Sequence, residues 1–308
     1  MRPEKLVVNR ILQGFIILCM IIILPIFLIE MWSMIKYRGT ISLRSPTTRW
    51  RIPLAATSFF SLILLGIDGS YEWVNWTSNP DGCYVSSGFI TLFFVLMKQS
   101  LYLFLYDRAK IVHEALQIQR WELRALRWII WVVVVAGVHI CFGWSYFLNF
   151  YGRVSVDGDC IYYTRWPEVI IAFAVSDAML NIGMLLLFAV PLYLETQQAS
   201  GLKTKATQKI RSLMKRNMIV SLTITSLDIT SLSLMTYFFM HTDPGNDSLE
   251  YRILWGNTAA VADQLAVVVG SHTMTAGWIS PSIRQRIKSI FRRNQVETDT
   301  LTTGHNPA

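Results

Sequence analysis

Charge is scarce in this chain: 16% of its 308 residues are acidic or basic, whereas 53% are hydrophobic. That balance excludes an ordinary soluble domain. Histidine is scarcer still. The five present, His113, His139, His241, His272 and His305, show no metal-ligand spacing, and no Ser-His-Asp arrangement can be inferred. The chain is therefore not read as an enzyme, no metal or cofactor is expected, and His139 and His272 are taken as satisfied core residues. Glycine-rich phosphate loops, internal repeats and cytosolic domains are also missing, and no nucleic-acid partner is expected.

What is present is hydrocarbon in long runs. Apolar segments cover about 11–35, 53–76, 84–106, 125–149, 167–194, 217–240 and 254–279, each long enough for a helix to cross roughly 30 Å of hydrocarbon. They are continuous rather than alternating, and lipid offers no partner to an unpaired backbone group, so helices are expected instead of strands. The expected fold is an all-α membrane protein. A seven-transmembrane helix bundle would occupy residues 11–279, after an extracellular segment over 1–10. The first run is too long for a removed signal peptide and lacks a small-residue cleavage site; it reads as a signal-anchor and first span.

Lys and Arg accumulate on the cytoplasmic side of membrane proteins. Lys36, Arg38, Arg44, Arg49 and Arg51 follow the first run, and Arg108, Lys110, Arg120, Arg124 and Arg127 follow the third. The linker after the fifth run carries six such residues between Lys203 and Arg216, and five more lie between Arg284 and Arg293. All four segments fall on one side. The amino terminus is thus expected outside, although Arg2, Lys5 and Arg10 run against the rule. Cys83 and Cys160 then lie in outer loops, whereas Cys19 and Cys141 lie within spans. Only the outer pair meets an oxidising compartment, and a bridge between them would tie the top of span three to the loop between spans four and five. The sequons at Asn75 and Asn246 also fall outside, as candidate glycosylation sites.

The third run ends on Asp107-Arg108, 25 residues after Cys83. This spacing resembles the rhodopsin-like G protein-coupled receptors, in which a cysteine opens span three and a D/E-R-Y triplet closes it. Trp76 stands in the preceding loop where that family commonly has an aromatic residue, and Cys160 matches the family's bridge partner. SPSIRQRIKSIF, Ser280 to Phe291, looks like the start of the family's eighth helix. Pro281 suits its first turn, and Ile283, Ile287, Ile290 and Phe291 form an apolar face among basic residues. Helix eight is expected over 280–293 and a disordered cytoplasmic tail over 294–308, where Thr298, Thr300, Thr302 and Thr303 can accept phosphate. The chain departs from the family in having Ala109 after Asp107-Arg108, SHTMTAGW in place of N-P-x-x-Y, and no C-W-x-P in span six. The resemblance implies a divergent receptor of the plasma membrane. It would bind an extracellular ligand and activate a heterotrimeric G protein through the cytoplasmic ends of spans three, five and six, with Asp107 and Arg108 as the switch.

The remaining chemistry is charge inside the membrane, which is costly unless it is paired or faces a cavity. At about 1.5 Å per residue, Lys98 lies roughly 15 Å above Arg108, near mid-bilayer. Asp228 falls at a similar depth in span six, and the two are expected to pair. Asp68, Asp177 and Asp263 fall in the outer halves of spans two, five and seven, where they are expected to line an acidic ligand pocket that favours a cation. A retinal protein is disfavoured because residues 254–279 contain no lysine. An ion-coupled transporter or channel using Lys98 and the intramembrane acids is the alternative, weakened by the absence of matched broken helices. Peptide mass spectrometry without reduction is expected to find Cys83 joined to Cys160. Two free thiols in folded protein would overturn both the bridge and part of the orientation.

Overall fold

The structure is a computed structural model that describes residues 3–37, 51–70, 80–115, 125, 128, 150–154, 160–164, 166–198, 205–240 and 249–275. Six long helices occupy nearly all of these: α1 (Pro3–Tyr37), α2 (Arg51–Ser70), α3 (Pro80–Ala115), α4 (Pro167–Gln198), α5 (Lys205–Met240) and α6 (Leu249–Thr275). Proline opens α1, α3 and α4, a position where its missing N–H has no partner to lose. Asp81 and Glu168 add negative charge to the first turns of α3 and α4, where the helix dipole favours it.

Six of the seven apolar runs fall on these helices over their described residues. The run over 125–149 is outside the described residues apart from positions 125 and 128, as are Asn75, Trp76, Cys141, Asn246, the segment 280–293 and the tail 294–308. Two features go beyond the sequence reading. The first helix begins at Pro3, within the segment taken as an extracellular tail, because nothing between Glu4 and Arg10 interrupts a helix. The chain also contains an antiparallel hairpin, β1 (Phe150–Val154) with β2 (Cys160–Thr164), in register from Phe150 opposite Thr164 to Val154 opposite Cys160. Its aromatic and β-branched residues favour extended backbone.

The described part of the chain is almost entirely helical, and its apolar helices suit a membrane. The segments Arg10–Ile35, Asp81–Lys110 and Ile171–Pro191 are long and apolar enough to cross a bilayer, and shorter apolar helices cover Arg51–Ile67 and Met218–Ser231. Its polarity is inverted relative to a water-soluble bundle. Ile17, Ile21, Leu28, Trp32, Met179 and Leu222 point outward and are more than half exposed, whereas Thr57, Ser58, Ser61, Thr91, Lys98, Asp177, Asp228 and Asp263 are buried. Several buried hydroxyls bond back into their own helix, Thr57 to the Pro53 carbonyl at 2.9 Å and Thr91 to that of Ser87 at 2.9 Å. Such internal satisfaction suits a segment with no water to turn to.

The described helices close into a ring. Each of α1 to α6 packs on the next, α6 returns to α1 and also touches α2, and the hairpin lies on α3. The third helix is the common element. Its Phe94 and Met97 pack with Leu64 and Phe173, its Leu101 and Phe104 with Leu54, Ile224, Val267 and Met274, and its Tyr102 and Ala109 with Leu180, Met184 and Leu187. A fourth cluster, centred on Ile16, Ile23, Leu65, Val261 and Val268, joins α1 to α2 and α6.

The α5–α6 contact depends on Gly270. A Cβ there would collide with Cδ1 and Cγ1 of Ile224, which is itself buried in the central cluster. Small residues at such crossings let membrane helices approach closely. Gly270→Ala is expected to destabilise the folded protein by about 1–3 kcal/mol, the usual cost of overpacking. Adding Ile224→Val, which removes Cδ1, should restore part of the loss in thermal melts of detergent-solubilised protein. A neutral Gly270→Ala would mean that the two helices have room to spare.

Candidate functional site

The site is built around one amine. Lys98 lies in mid-α3 with its side chain fully buried, and an ammonium has three N–H donors and no acceptor. Each donor has a carboxylate from a different helix within reach. Asp228 of α5 is in direct contact, Asp177 Oδ2 of α4 is at 3.3 Å and Asp263 Oδ2 of α6 is at 3.2 Å. All four side chains are at most 2% exposed. The ring of Phe94, one turn away on α3, lies 5.6 Å from Lys98 Nζ and adds its negative face.

Two further side chains complete the carboxylates. The Tyr102 hydroxyl donates to Asp177 Oδ1, and Asn181 Nδ2 donates to Asp228 Oδ2. Tyr102 is one turn after Lys98, and Asn181 one turn after Asp177, so each shares a helix face with one charge of the cluster and donates to a carboxylate on the neighbouring helix. That i, i+4 relation is the sequence signal by which both can be found, and neither is among the residues singled out from the sequence.

Depth counting puts Lys98 level with Asp228, and the two are in contact. It assigns Asp177 and Asp263 to the outer halves of their spans, as lining for a separate ligand pocket. The structure instead brings both onto Lys98. The physical reason is that α6 extends beyond its apolar run: it begins at Leu249, which places Asp263 about 21 Å from that end at 1.5 Å per residue. Asp177, ten residues after Pro167, is about 15 Å from the matching end of α4. Asp68 lies in α2, and its side chain is outside the described residues.

Ten residues beyond Lys98, Arg108 closes the same helix. It is 8% exposed, its guanidinium lies 4.8 Å from the Phe188 ring centre and 5.7 Å from that of Phe104, and Nη2 donates to the Met274 carbonyl of α6 at 3.5 Å. Beneath it is a cavity of about 20 Å³, lined by Arg108, Asn181, Phe188, Ser221, Thr225 and Met274 among others. That volume holds about one water molecule. Asp107 is half-buried beside Arg108.

At the opposite end of α3, Cys83 is buried and disulfide-bonded, whereas Cys19 is a free thiol. Cys160 begins β2, on the hairpin that packs against α3. His272 is paired, its Nδ1 lying 3.2 Å from Glu30 Oε1, which pins α6 to α1. Arg51 donates to Ser33 Oγ and pins α2 to α1. Among the described residues no group of His, Cys, Asp and Glu can hold a metal ion.

No protein-family model matches the chain, and no characterised protein matches it in sequence.

Removing one partner from a buried ion pair typically costs about 3–5 kcal/mol, because the other charge is left stranded. Lys98→Met strands three carboxylates and is expected to be the most destabilising single change in the cluster. Asp228→Leu should be severe but milder. The double variant should recover only in part, since Asp177 and Asp263 remain. Thermal melts of the four proteins in detergent measure the coupling, and purely additive effects would exclude an interaction.

Proposed function

We propose that the chain is a seven-helix receptor of the rhodopsin-like type, the seventh helix of the bundle being supplied by the run over 125–149. One observation carries this reading. The central helix has a disulfide-bonded cysteine at one end and a buried arginine at the other, separated by 25 positions. Cys160 is the proposed bridge partner of Cys83, and the hairpin bearing it would then be fastened over the ligand entrance.

In this mechanism the resting state is held by contacts that cross the ring from α3. Lys98 holds α4, α5 and α6 at mid-depth, and Arg108 holds the Met274 carbonyl at the cytoplasmic end. A ligand arriving from the hairpin side favours a state in which α5 leaves α3. The cavity beneath Arg108 then widens into a cleft, and Arg108 is freed to take carbonyl acceptors on a heterotrimeric G protein. The receptor binds the nucleotide-free G protein best and so drives GDP release by population shift, without covalent chemistry. Asp177 and Asp263 are engaged by Lys98, so the ligand seat is proposed to lie between the cluster and the hairpin, with Asp68 as the candidate acid for a cationic ligand.

The alternative is an ion-coupled transporter or channel, and the observation favouring it is the same buried cluster, since intramembrane acids with a lysine can relay ions. Purified protein in liposomes separates the two readings: a receptor stimulates nucleotide exchange on added G proteins and leaves ion flux at background, and a transporter does the reverse. Within the receptor reading, Arg108→Ala is expected to reach the membrane and lose at least about tenfold in exchange rate, the equivalent of one charge-assisted contact of about 1.4 kcal/mol. Full exchange by that variant would reduce the Asp107-Arg108 resemblance to coincidence.

A further inference from the structure

The Lys98 cluster has more acids than bases. One ammonium faces Asp177, Asp228 and Asp263, so full ionisation would leave two negative charges uncompensated among side chains that are 0–2% exposed. A single uncompensated charge in such surroundings already costs several kcal/mol. The missing positive charge must come from another side chain, a metal ion or protons.

Among the described residues, the titratable and charged groups around Asp263 leave no second base. It faces Lys98 from α3, whose ammonium also holds Asp177 of α4 and Asp228 of α5. On its own helix His272 is engaged by Glu30 of α1. Arg108 lies at the far end of α3, against Phe104 and Phe188. In α2 the side chain of Asp68 is outside the described residues. A metal ion finds no place, because the ammonium itself occupies the centre of the three acids, and the nearby cavity reaches Asn181 but is lined by none of them. Protons need no cavity.

The hydrogen bonds single out one carboxyl. Asp177 Oδ1 accepts from Tyr102, and Asp228 Oδ2 accepts from Asn181. Asp263 Oδ1 is buried and has no hydrogen-bond partner among the described residues. Ionised, that oxygen would be a charged acceptor without a donor; neutral, the group carries a smaller penalty. A proton on Asp263 removes one of the two excess charges, and the donors Tyr102 and Asn181 face the other on Asp177 and Asp228. We propose that Asp263 is a proton-binding site: at neutral pH the resting bundle holds its carboxyl in the neutral form and gives up that proton when the cluster opens to water.

Linkage sets the sign. Unfolded, an exposed Asp is ionised at neutral pH. A native state that retains a proton binds more protons than the unfolded chain, and its stability falls as pH rises.

The test uses the whole protein in detergent and two readouts that involve no G protein, so its failure is distinct from a failure of the receptor reading. Infrared spectra at neutral pH should contain a neutral-carboxyl stretch that shifts in heavy water and is lost in Asp263→Asn. The melting temperature of the wild type should fall from mildly acidic to mildly alkaline buffer, whereas Asp263→Asn, a fixed neutral isostere, should melt nearly independently of pH over that range. A wild type without the neutral-carboxyl band overturns the assignment without recourse to any variant. So does a band, or a pH slope, that survives Asp263→Asn unchanged.

Discussion

An ammonium buried among helices has three donors and can keep its charge only if the neighbouring helices bring acceptors to it. Lys98 sits in that position, and α4, α5 and α6 each bring one. The consequence is registry more than strength. A buried ion cluster is weak grounds for stability, because desolvation offsets most of the attraction, but it penalises every arrangement that separates the charges. Sliding α5 by one turn would carry Asp228 about 5.4 Å away, stranding it and leaving Lys98 with two of its three carboxylates. Apolar packing between the same helices is far more forgiving of such a slip, since lipid tails and neighbouring leucines are equally good surroundings for a methyl group.

The same helix carries the molecule's other polar commitments. Above the cluster it ends in the disulfide-bonded Cys83 and receives the hairpin; below, Arg108 is buried against two aromatic rings and a carbonyl of α6. Three polar anchors along α3 reach three different sets of partners, with apolar clusters between them. A change in one anchor therefore reaches the others through a single rigid rod, whichever activity the chain performs.

Much of this is readable from composition and depth counting, for identifiable reasons. Helices announce themselves as long apolar runs because lipid leaves a span no other way to satisfy its backbone. Lys98 and Asp228 can be put on one level because each lies a similar number of residues from a basic boundary, and a helix converts count into height. The same conversion misleads for Asp263, where the apolar run begins later than the helix: Leu249 to Ile253 are helical but too polar to be counted as membrane. The hairpin is not visible in a reading tuned to spans, since five-residue strands are short against the signal of a 20-residue run. Tyr102 and Asn181 escape because a lone Tyr or Asn in a span is unremarkable until the helix face it shares with a charge is drawn.

Gly270 has a mechanical meaning beyond close packing. Where one helix offers no side chain and Ile224 of the other fills the notch, the contact resists sliding yet permits tilt, as a fulcrum does. Asp228 lies four residues to one side of Ile224 and Ser221 three to the other, arms of about 6 Å and 4.5 Å. Ser221 donates to the Met274 sulfur at 3.0 Å. Tilting α5 about that point displaces Asp228 and Ser221 in opposite directions, so the Lys98 contact and the Ser221–Met274 contact sit on the two ends of one seesaw.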